Sequence, residues 1–378
     1  MNTTNIVQLN AVLNHIKTSF VGKDEIADLL GICLVARENL FLLGPPGTAK
    51  SAIVRRLSDC ITDGNNFEYL LTRFTEPNEI FGPFDIRRLK EGELVTNTEG
   101  MMPEASMVFL DEIFNANSAI LNSLLLALNE KLFRRGKETR KLPALTFVGA
   151  SNQLPEDETL NALLDRFLVR VKCDYVNPDM LGEVLLAGWR MERGEQEGKP
   201  GITPAQIITL QEQCRQVDLD GIRKQYIDVV HTLRNAGIRV SDRRAVKLQS
   251  LIAASALISG RNSAMLNDLW VLKHIWDTEE QIELLEGLVN NVICDAPQEQ
   301  AHPQALRDKV PVPDELMKEV RLLAGKWQQE TLSFEERNVI KDKLRYVQSR
   351  CGWISNEEQR RFVMDEIDAL WQTMLQTQ

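Results

Sequence analysis

The residue types best suited to chemistry occur in one short run, Gly44-Pro45-Pro46-Gly47-Thr48-Ala49-Lys50-Ser51. An apolar, strand-like run precedes it and a helical stretch follows. A tight loop between a strand and a helix binds phosphates through its backbone amides and the positive end of the helix dipole. In such a loop Lys50 reaches the β- and γ-phosphates and Ser51 binds Mg²⁺. The run therefore predicts a site for a nucleoside triphosphate with magnesium.

One position departs from the usual pattern of such loops. Ala49 stands where glycine is common. Alanine is tolerated there only where the backbone does not need a positive φ, because its Cβ disfavours that region. We therefore expect residue 49 to have an ordinary negative φ.

Two carboxylates follow a second apolar run. Asp111 and Glu112 come directly after residues 107–110, which are all apolar. Asp111 is suited to order the magnesium shell through water, and Glu112 to orient and polarise an attacking water molecule. An apolar run that ends in Asp-Glu is common by itself. Its position after the phosphate loop predicts hydrolysis of the triphosphate.

Two more polar residues extend this set. Asn152 ends the run Gly149-Ala150-Ser151-Asn152 and is suited to position water or the γ-phosphate, unless it only caps or turns the chain. Arg166 ends a helical stretch, far from its own phosphate loop, so a role in hydrolysis requires a neighbouring subunit. Such an arginine is worth roughly 10³–10⁵ in rate in other NTPases. The alternative is an ion pair with Asp165 or another acid.

These residues are separated by short apolar runs that alternate with helical stretches. That alternation is typical of a parallel sheet covered by helices on both faces. Residues 1–190 therefore predict one α/β domain. The five strand-like runs cover residues 39–43, 67–71, 107–110, 145–149 and 167–171.

The rest of the chain has a helical pattern. A charged, glycine-containing linker covers residues 191–201, and residues 200–294 predict an all-α domain with a buried helix from Val246 to Leu257. Breaks at residues 296–297 and 311–313 precede the last segment.

The last segment, residues 311–378, carries three amphipathic stripes and predicts a small three-helix module. Ser333 and Ser355 each precede a glutamate by three residues, which is the signature of a capping box at a helix start. Only 84 residues follow Cys294, enough for three helices with nothing inserted.

Composition narrows the class of protein. The chain has 378 residues, 43% hydrophobic and 26% charged, which predicts two or three globular domains and excludes a largely disordered chain. With 44 Lys+Arg against 54 Asp+Glu, the net charge of −10 is unfavourable for a non-specific DNA coat.

The six cysteines and four histidines are scattered along the chain, so zinc and disulfide frameworks are not expected. Without an apolar run long enough for a membrane span, or a signal peptide, we expect a cytoplasmic protein.

The chain resembles the AAA+ ATPases, because it carries in the same order the phosphate loop, the Asp-Glu pair, Asn152 and Arg166. The loop with Ala49, the run Leu164-Asp165-Arg166-Phe167 and the residues around Asp111 are similar to the MoxR branch of that class. Val240-Ser241-Asp242-Arg243-Arg244 is similar to its RavA-type subgroup. The resemblance covers residues 5 to about 290.

The resemblance implies a five-stranded α/β AAA+ core with an α-helical lid, in a hexameric ring with ATP at the subunit interfaces. It implies that Arg243 is the lid arginine (sensor 2) that contacts the γ-phosphate. It also implies that Val21-Gly22 lie against adenine, and that residues 75–105 are an insert in the second helix, with a hairpin at residues 95–100.

A second predicted hairpin, at residues 133–143, is strongly basic. In related ring helicases the equivalent loop faces a central pore and contacts DNA. A solvated face, contact with a protein partner in the pore, and contact with nucleic acid are all open interpretations. Its cations are Arg134, Arg135, Lys137, Arg140 and Lys141.

Three functions fit these features. The first is a Mg²⁺-dependent ATPase that remodels a protein in a chaperone-like way, with a von Willebrand factor A-domain partner that the resemblance alone implies. The second is a nucleic-acid-dependent motor, which we do not favour. The third is an ATP-gated scaffold or sensor in a bacterial defence system. The helical module at residues 311–378 either packs on the lid or docks a partner.

Overall fold

The computed structural model describes residues 3–376 apart from residues 136–137, 156, 177, 195–197, 295–299, 308–312, 328–336, 338–339, 342, 345–346, 349–350 and 352–356. The strands are β1 (Leu40–Leu43), β2 (Asn66–Leu70), β3 (Met107–Asp111), β4 (Leu132–Arg135), β5 (Glu138–Lys141), β6 (Thr146–Ser151) and β7 (Val169–Lys172). The first eight helices are α1 (Thr3–Ser19), α2 (Asp24–Ala36), α3 (Lys50–Cys60), α4 (Pro77–Phe81), α5 (Ile86–Lys90), α6 (Ser118–Glu130), α7 (Glu158–Leu164) and α8 (Leu181–Glu192). They are followed by α9 (Pro204–Cys214), α10 (Arg223–Asn235), α11 (Asp242–Ile258), α12 (Gln281–Ile293), α13 (Pro303–Arg307), α14 (Pro313–Trp327) and α15 (Glu357–Gln376).

The centre of the molecule is a five-stranded parallel sheet with the order β2-β3-β6-β1-β7. The five predicted strands are confirmed. β1 lies between β6 and β7, with Leu40 opposite both Val148 and Val169. All four residues of β1 are apolar and buried. Such a run needs cover on both faces, and α2 packs on β1 and β7 while α3 packs on β3 and β6.

Parallel pairing gives the sheet two chemically different ends. At the carboxyl edge, β1 ends at Leu43, β3 at Asp111 and β6 at Ser151. At the amino edge, β1 begins at Leu40, and Asn39 directly before it bonds neighbouring elements. β1 has four residues, so the two edges are about 13 Å apart at ~3.3 Å per residue.

Residues 204–293 form helices α9 to α12 and two 3₁₀ helices, as predicted. α11 supplies the expected buried helix, with Leu248, Leu251 and Ile252 in the core. The prediction that Val246 is buried is wrong: it is 66% exposed, because it lies on the opposite side of α11 from Leu248. No helix in the described part of the chain is long and apolar enough to cross a membrane.

The hairpin predicted at residues 95–100 does not form. Instead residues 95–97 pair with residues 83–85. The Asp85 amide donates to Val95 O at 2.8 Å, and the Asn97 amide donates to Pro83 O at 2.8 Å. The reason is local. The Asp85 carboxylate accepts hydrogen bonds from the amides of residues 87 and 88 and caps α5, which makes the connection a helix rather than a tight turn.

The basic hairpin at residues 133–143 does form, as the antiparallel pair β4 and β5. Two of its arginines bind residues 75–105. Arg135 donates to Gly82 O at 2.5 Å and lies 4.1 Å from the Phe84 ring. Arg140 donates to Thr98 Oγ1 at 2.5 Å. The sequence interpretations did not include this structural role.

The other cations of the hairpin differ in their surroundings. Arg134 and Lys141 are exposed, and Lys137 lies outside the described residues.

The C-terminal residues form an apolar core of their own. α14 packs against α15, and their buried side chains belong to a cluster that is separate from the main core. The first predicted stripe is confirmed, with Leu316, Val320, Leu323 and Trp327 buried. The capping boxes at Ser333 and Ser355, and the breaks at 296–297 and 311–312, lie outside the described residues.

A buried lysine joins α6 to the basic hairpin. Lys131 directly follows α6 and has a φ of 54°. Its ammonium donates to Asn39 Oδ1 at 2.7 Å and lies 4.3 Å from the centre of the Phe147 ring. Burial lowers the pKa of Lys131 to about 7, although the charge of Glu38 opposes this shift.

This burial predicts a pH-dependent stability. The unfolded chain binds more protons at Lys131 than the folded protein between about pH 7 and pH 10, because an exposed lysine has a pKa of ~10.4. The free energy of unfolding therefore rises with pH in that window, by about 1.4 kcal/mol per unit of pKa difference. Lys131→Met removes this dependence, so its stability relative to the wild type is expected to be greatest near pH 6 and to fall towards pH 10.

Urea unfolding at pH 6, 8 and 10 measures this difference. Lys141→Met, on the exposed end of the same hairpin, is the matched control, and its difference from the wild type should stay constant. A constant difference for Lys131→Met would contradict the prediction.

Candidate functional site

The loop after β1 turns sharply at the carboxyl edge. Gly47 has a φ of 82° and Ala49 a φ of 66°, and α3 begins at the next residue, Lys50. The expectation of a negative φ at Ala49 is therefore wrong. The reason is that the chain must reverse within a few residues between β1 and α3, and this requirement overrides the alanine's backbone preference.

Two glycines of the loop have different surroundings. A Cβ added at Gly44 would lie 2.2 Å from Cys173 O on the neighbouring strand end, so only glycine allows this close approach. A Cβ at Gly47 would meet no described atom within 4 Å, because the loop faces open space there. Among the described residues, no side chain caps the start of α3, whose first-turn amides have no helical acceptor. The loop thus offers space and backbone donors for an anion.

Lys50 is the predicted cation of this loop, and it is only 7% exposed. Its ammonium donates to the carbonyl oxygens of Gly44 and Pro45, the latter at 3.1 Å. It also donates to Asn152 Oδ1 at 3.0 Å. All three acceptors are neutral, and in the described part of the chain no carboxylate forms an ion pair with Lys50, so its positive charge can attract phosphate.

The two predicted carboxylates lie beside the loop. Ser51 Oγ donates to Asp111 Oδ2 at 2.9 Å, which brings together the two oxygen groups expected to serve Mg²⁺. Glu112 accepts a hydrogen bond from Asn152 Nδ2. Ser151 Oγ is 3.5 Å from the other oxygen of Glu112.

Glu112 has a backbone feature that its sequence did not predict. Its φ of 50° lies in the left-handed region, which is uncommon for a residue other than glycine. Such conformations cost free energy and concentrate at functional positions. The backbone turns after Asp111, so the neighbouring carboxylates of residues 111 and 112 take different partners.

Val21 and Gly22, which the resemblance puts against adenine, lie near the segment after β7. A Cβ added at Gly22 would be 3.1 Å from Val176 and 3.8 Å from Met180.

Thr48 stabilises the turn of the phosphate loop, because its hydroxyl donates to Pro45 O at 2.9 Å.

Two residues of this region were missed by sequence reasoning. Lys23 is buried and donates to Asp174 O, which ties the Val21-Gly22 turn to the end of β7; burial lowers the pKa of Lys23 below the usual lysine value. Tyr175 donates through its hydroxyl to Pro46 O at 3.4 Å, while its ring is 70% exposed. Neither belongs to a motif, so only proximity in the fold identifies them.

Arg166 and Arg243 lie elsewhere, at the amino edge. Asn39, just before β1, donates to Arg166 O at 2.9 Å and to Leu128 O at 3.1 Å. Arg243 donates to Asn129 Oδ1 at 2.7 Å, next to Leu128. Since the phosphate loop follows the other end of β1, neither arginine faces the loop of its own chain.

Arg166 and Arg243 line one cavity of about 220 Å³. We name it the arginine cavity. Its charged lining is mainly positive, and its acids are engaged: Asp277 binds arginines, and Asp165 is 3.7 Å from Arg170. The ion pair of Asp165 is thus with Arg170 rather than with Arg166. The charged residues that line the cavity are Asp165, Arg166, Arg239, Arg243, Arg244, Lys247 and Asp277.

The residues at the carboxyl edge fit ATP with Mg²⁺. The uncapped start of α3 and Lys50 suit phosphates, and Ser51 with Asp111 supplies the hard oxygen ligands that Mg²⁺ prefers. Among the described residues, no group of three or more His, Cys, Asp and Glu side chains could hold another metal ion.

Comparison with a solved structure agrees with this fold. A Cytophaga hutchinsonii protein, solved as a candidate ATPase, superposes with a TM-score of 0.62 at 18% identity over 78% of this chain and 97% of its own. The class of protein is that of the AAA+ ATPases, as indicated by the order of the strands, the phosphate loop and the helical region after residue 200. More narrowly, residues 7–212 match the MoxR domain of MoxR-vWA-beta-propeller ternary systems, and residues 218–289 match an AAA lid domain. The chain belongs to the MoxR family of AAA+ ATPases.

Relatives with similar sequences support this membership. Two uncharacterized proteins of Methanocaldococcus jannaschii are 34% and 36% identical, each over 75% of this chain and over 74% and 81% of their own lengths. The chaperone MoxR1 of Mycobacterium tuberculosis is 25% identical over 54% of this chain and 53% of its own.

The positive φ at residue 49 predicts a stabilising substitution. Ala49→Gly relieves left-handed strain worth about 1–2 kcal/mol, partly offset by the greater entropy of glycine in the unfolded chain. We expect the free energy of unfolding to rise by about 0.5–1 kcal/mol, measured by thermal unfolding without nucleotide. Ala52→Gly, in the exposed part of α3, is the matched control and should lower it by ~1 kcal/mol. Equal losses for both variants would refute the strain at residue 49.

Proposed function

We propose that the chain hydrolyses ATP with Mg²⁺ in a ring of identical subunits and remodels a protein partner. One observation carries the ATPase part: a single edge of the sheet brings together the Lys50 ammonium, the Ser51–Asp111 pair and the Glu112–Asn152 pair.

Each of these residues has a separate task. Lys50 and the backbone of residues 44–49 bind the phosphates, while Ser51 and Asp111 hold Mg²⁺, Asp111 through water. Bound Mg²⁺ neutralises charge on the phosphates. Glu112 accepts a proton or hydrogen bond from the attacking water and orients it towards the γ-phosphate. Asn152 keeps Glu112 in position, because its amide bonds both Glu112 and Lys50. Val21 and Gly22 form the adenine side.

Arg166 and Arg243 act on the nucleotide of a neighbouring subunit. They lie at the amino edge, about 13 Å of β1 away from their own phosphate loop. Their shared cavity is positive, which suits the negative charge that the γ-phosphate develops. A second copy is thus needed to complete each site, and this supports an oligomer, with a hexamer as the state that the family implies.

An exposed apolar face supports this assembly. None of the twelve residues of α8 is buried, and Leu181, Leu185, Leu186 and Trp189 are more than half exposed. α8 begins next to Met180, which approaches Gly22 at the nucleotide side. A neighbour that presents its arginines to this side would also cover α8.

A von Willebrand factor A-domain protein is the partner that we propose. The family matched by residues 7–212 is described by its systems with vWA and beta-propeller proteins. The C-terminal helices have their own apolar core, so they are suited to dock such a partner without disturbing the ATPase.

A cytoplasmic location is consistent with the six cysteines, all of which are free thiols. The RavA-type subgroup and the domain limits 1–190, 200–294 and 311–378 are part of this proposal, as is the insert at 75–105.

A nucleic-acid motor is disfavoured by the contacts of the basic hairpin. Arg135 and Arg140, two of its cations, bind residues 75–105. Of the hairpin's described cations, this leaves Arg134 and Lys141 exposed for contact with phosphates. An ATP-gated scaffold or sensor would hydrolyse ATP slowly and recruit an effector to its ATP-bound ring. The rate of ATP hydrolysis with the partner present therefore distinguishes it from a remodeller.

Glu112→Gln should bind ATP but hydrolyse it at least 100-fold more slowly, because the amide keeps the shape and cannot polarise water. Lys50→Ala should lose ATP affinity instead, since its ammonium is the cation of the loop. Affinity is measured with a fluorescent ATP analogue and turnover by phosphate release. Normal turnover by Glu112→Gln would refute the assignment.

Arg166→Ala and Arg243→Ala should each bind ATP normally yet hydrolyse it slowly. Mixing either variant with Lys50→Ala should restore part of the turnover, because Lys50→Ala subunits supply intact arginines to the nucleotide sites of the arginine variants. Turnover is compared across mixing ratios, with light scattering to verify that the variants assemble. A mixture that assembles but stays inactive would refute action between subunits.

A further inference from the structure

Asp277 lies in the arginine cavity and connects its sheet side, at β7, to its helix side, at α11. It is 8% exposed and follows the 3₁₀ helix Leu266–His274. Its carboxylate accepts a hydrogen bond from Arg170 on β7. It also accepts one from Arg244 on α11 at 3.1 Å, and its second oxygen is 3.5 Å from Arg239. One buried carboxylate thus joins a strand of the sheet to a helix beyond residue 200.

On the sheet side, the connection continues to Arg166. Arg170 is 1% exposed. Besides Asp277 it donates to Trp276 O and, at 3.3 Å, to Leu164 O, and it lies 3.7 Å from Asp165. Leu164 and Asp165 directly precede Arg166 at the end of α7. The position of Arg170 therefore sets the position of the backbone that carries Arg166.

On the helix side, the connection continues to Arg243. Arg244, the next residue, donates to Ile275 O and to Arg239 O, the latter at 2.9 Å, in addition to Asp277. Because adjacent helix residues point about 100° apart, Arg244 anchors the first turn of α11 while Arg243 points into the cavity.

The charges make this connection depend on Asp277. Burial disfavours the ionised carboxylate, but Arg244 and Arg170 outweigh this effect and lower the pKa of Asp277. Without the carboxylate, Arg170 and Arg244 would face each other as like charges, one of them fully buried.

We propose that Asp277 is a positioning residue that sets the distance and orientation of Arg166 relative to Arg243, so that both reach one phosphate group of a neighbouring subunit's nucleotide. This inference rests on the proposed function, because it needs the two arginines to act between subunits.

The test compares two buried aspartates. Asp277→Asn removes the charge that joins the arginines. Asp268→Asn is the matched control: Asp268 is fully buried and binds Arg261 through two bonds of 2.7 Å, in the same helical region but away from the arginine cavity. Both variants should lower the melting temperature. Turnover is measured below the lower of the two melting transitions.

Asp277→Asn should keep the KM for ATP within twofold and lower kcat at least tenfold, whereas Asp268→Asn should keep both within twofold. Lys50→Ala subunits should restore part of the turnover of Asp277→Asn, because they supply an intact arginine pair. If Asp277→Asn does not fold, Arg244→Lys, which keeps the charge but loses the bonds to two carbonyls, should show the same split with a smaller loss.

Three outcomes would overturn the inference. These are an unchanged kcat in Asp277→Asn, an equal fall of kcat in Asp268→Asn, and a failure of Lys50→Ala to restore Asp277→Asn while it restores Arg166→Ala. If Lys50→Ala restores neither variant, the action between subunits is itself wrong, so the two failures can be told apart.

Discussion

The parallel backbone pairing of β1 with β6 and β7 is the constraint on which the rest of the site depends. Because all five strands run in one direction, everything that follows a strand gathers at one edge. The phosphate loop, Asp111 and Asn152 meet there although about a hundred residues separate the first from the last. No contact between these side chains would exist without that alignment, since each is attached only to the end of its strand.

The same pairing separates the two arginines from the loop. Arg166 precedes β7 and Arg243 lies beside the end of α6, so both are at the amino edge. In this geometry neither arginine lies at the phosphate loop of its own chain. Hydrolysis in our proposal thus depends on how two copies meet, and on how rigidly Asp277 joins the sheet to α11 within each copy.

The sequence predicted what local pattern determines. Short apolar runs identified all five strands of the sheet, and the run from Gly44 to Ser51 identified the loop. Prediction from the sequence failed where contacts between residues distant in the chain determine the structure. The φ of Ala49 depends on closure of the chain between β1 and α3, and the partners of Arg135 and Arg140 lie more than 40 residues away. The false hairpin at residues 95–100 has the same origin, because its true partner precedes α5.

The charge distribution over the two edges bears on the form of the assembly. The arginine cavity is positive, while the carboxyl edge carries Asp111 and Glu112 beside the loop that we propose to bind phosphates. Contact between two arginine cavities would bring like charges together, which disfavours a two-fold symmetric dimer through this face. Contact between the amino edge of one copy and the carboxyl edge of the next is instead complementary and uses two different surfaces. Such a head-to-tail contact leaves one surface of each kind free until the last copy closes a ring. If the arginines of one copy act on the nucleotide of the next, as we propose, the opposite positions of the arginines and the phosphate loop within one chain favour a closed ring over a dimer.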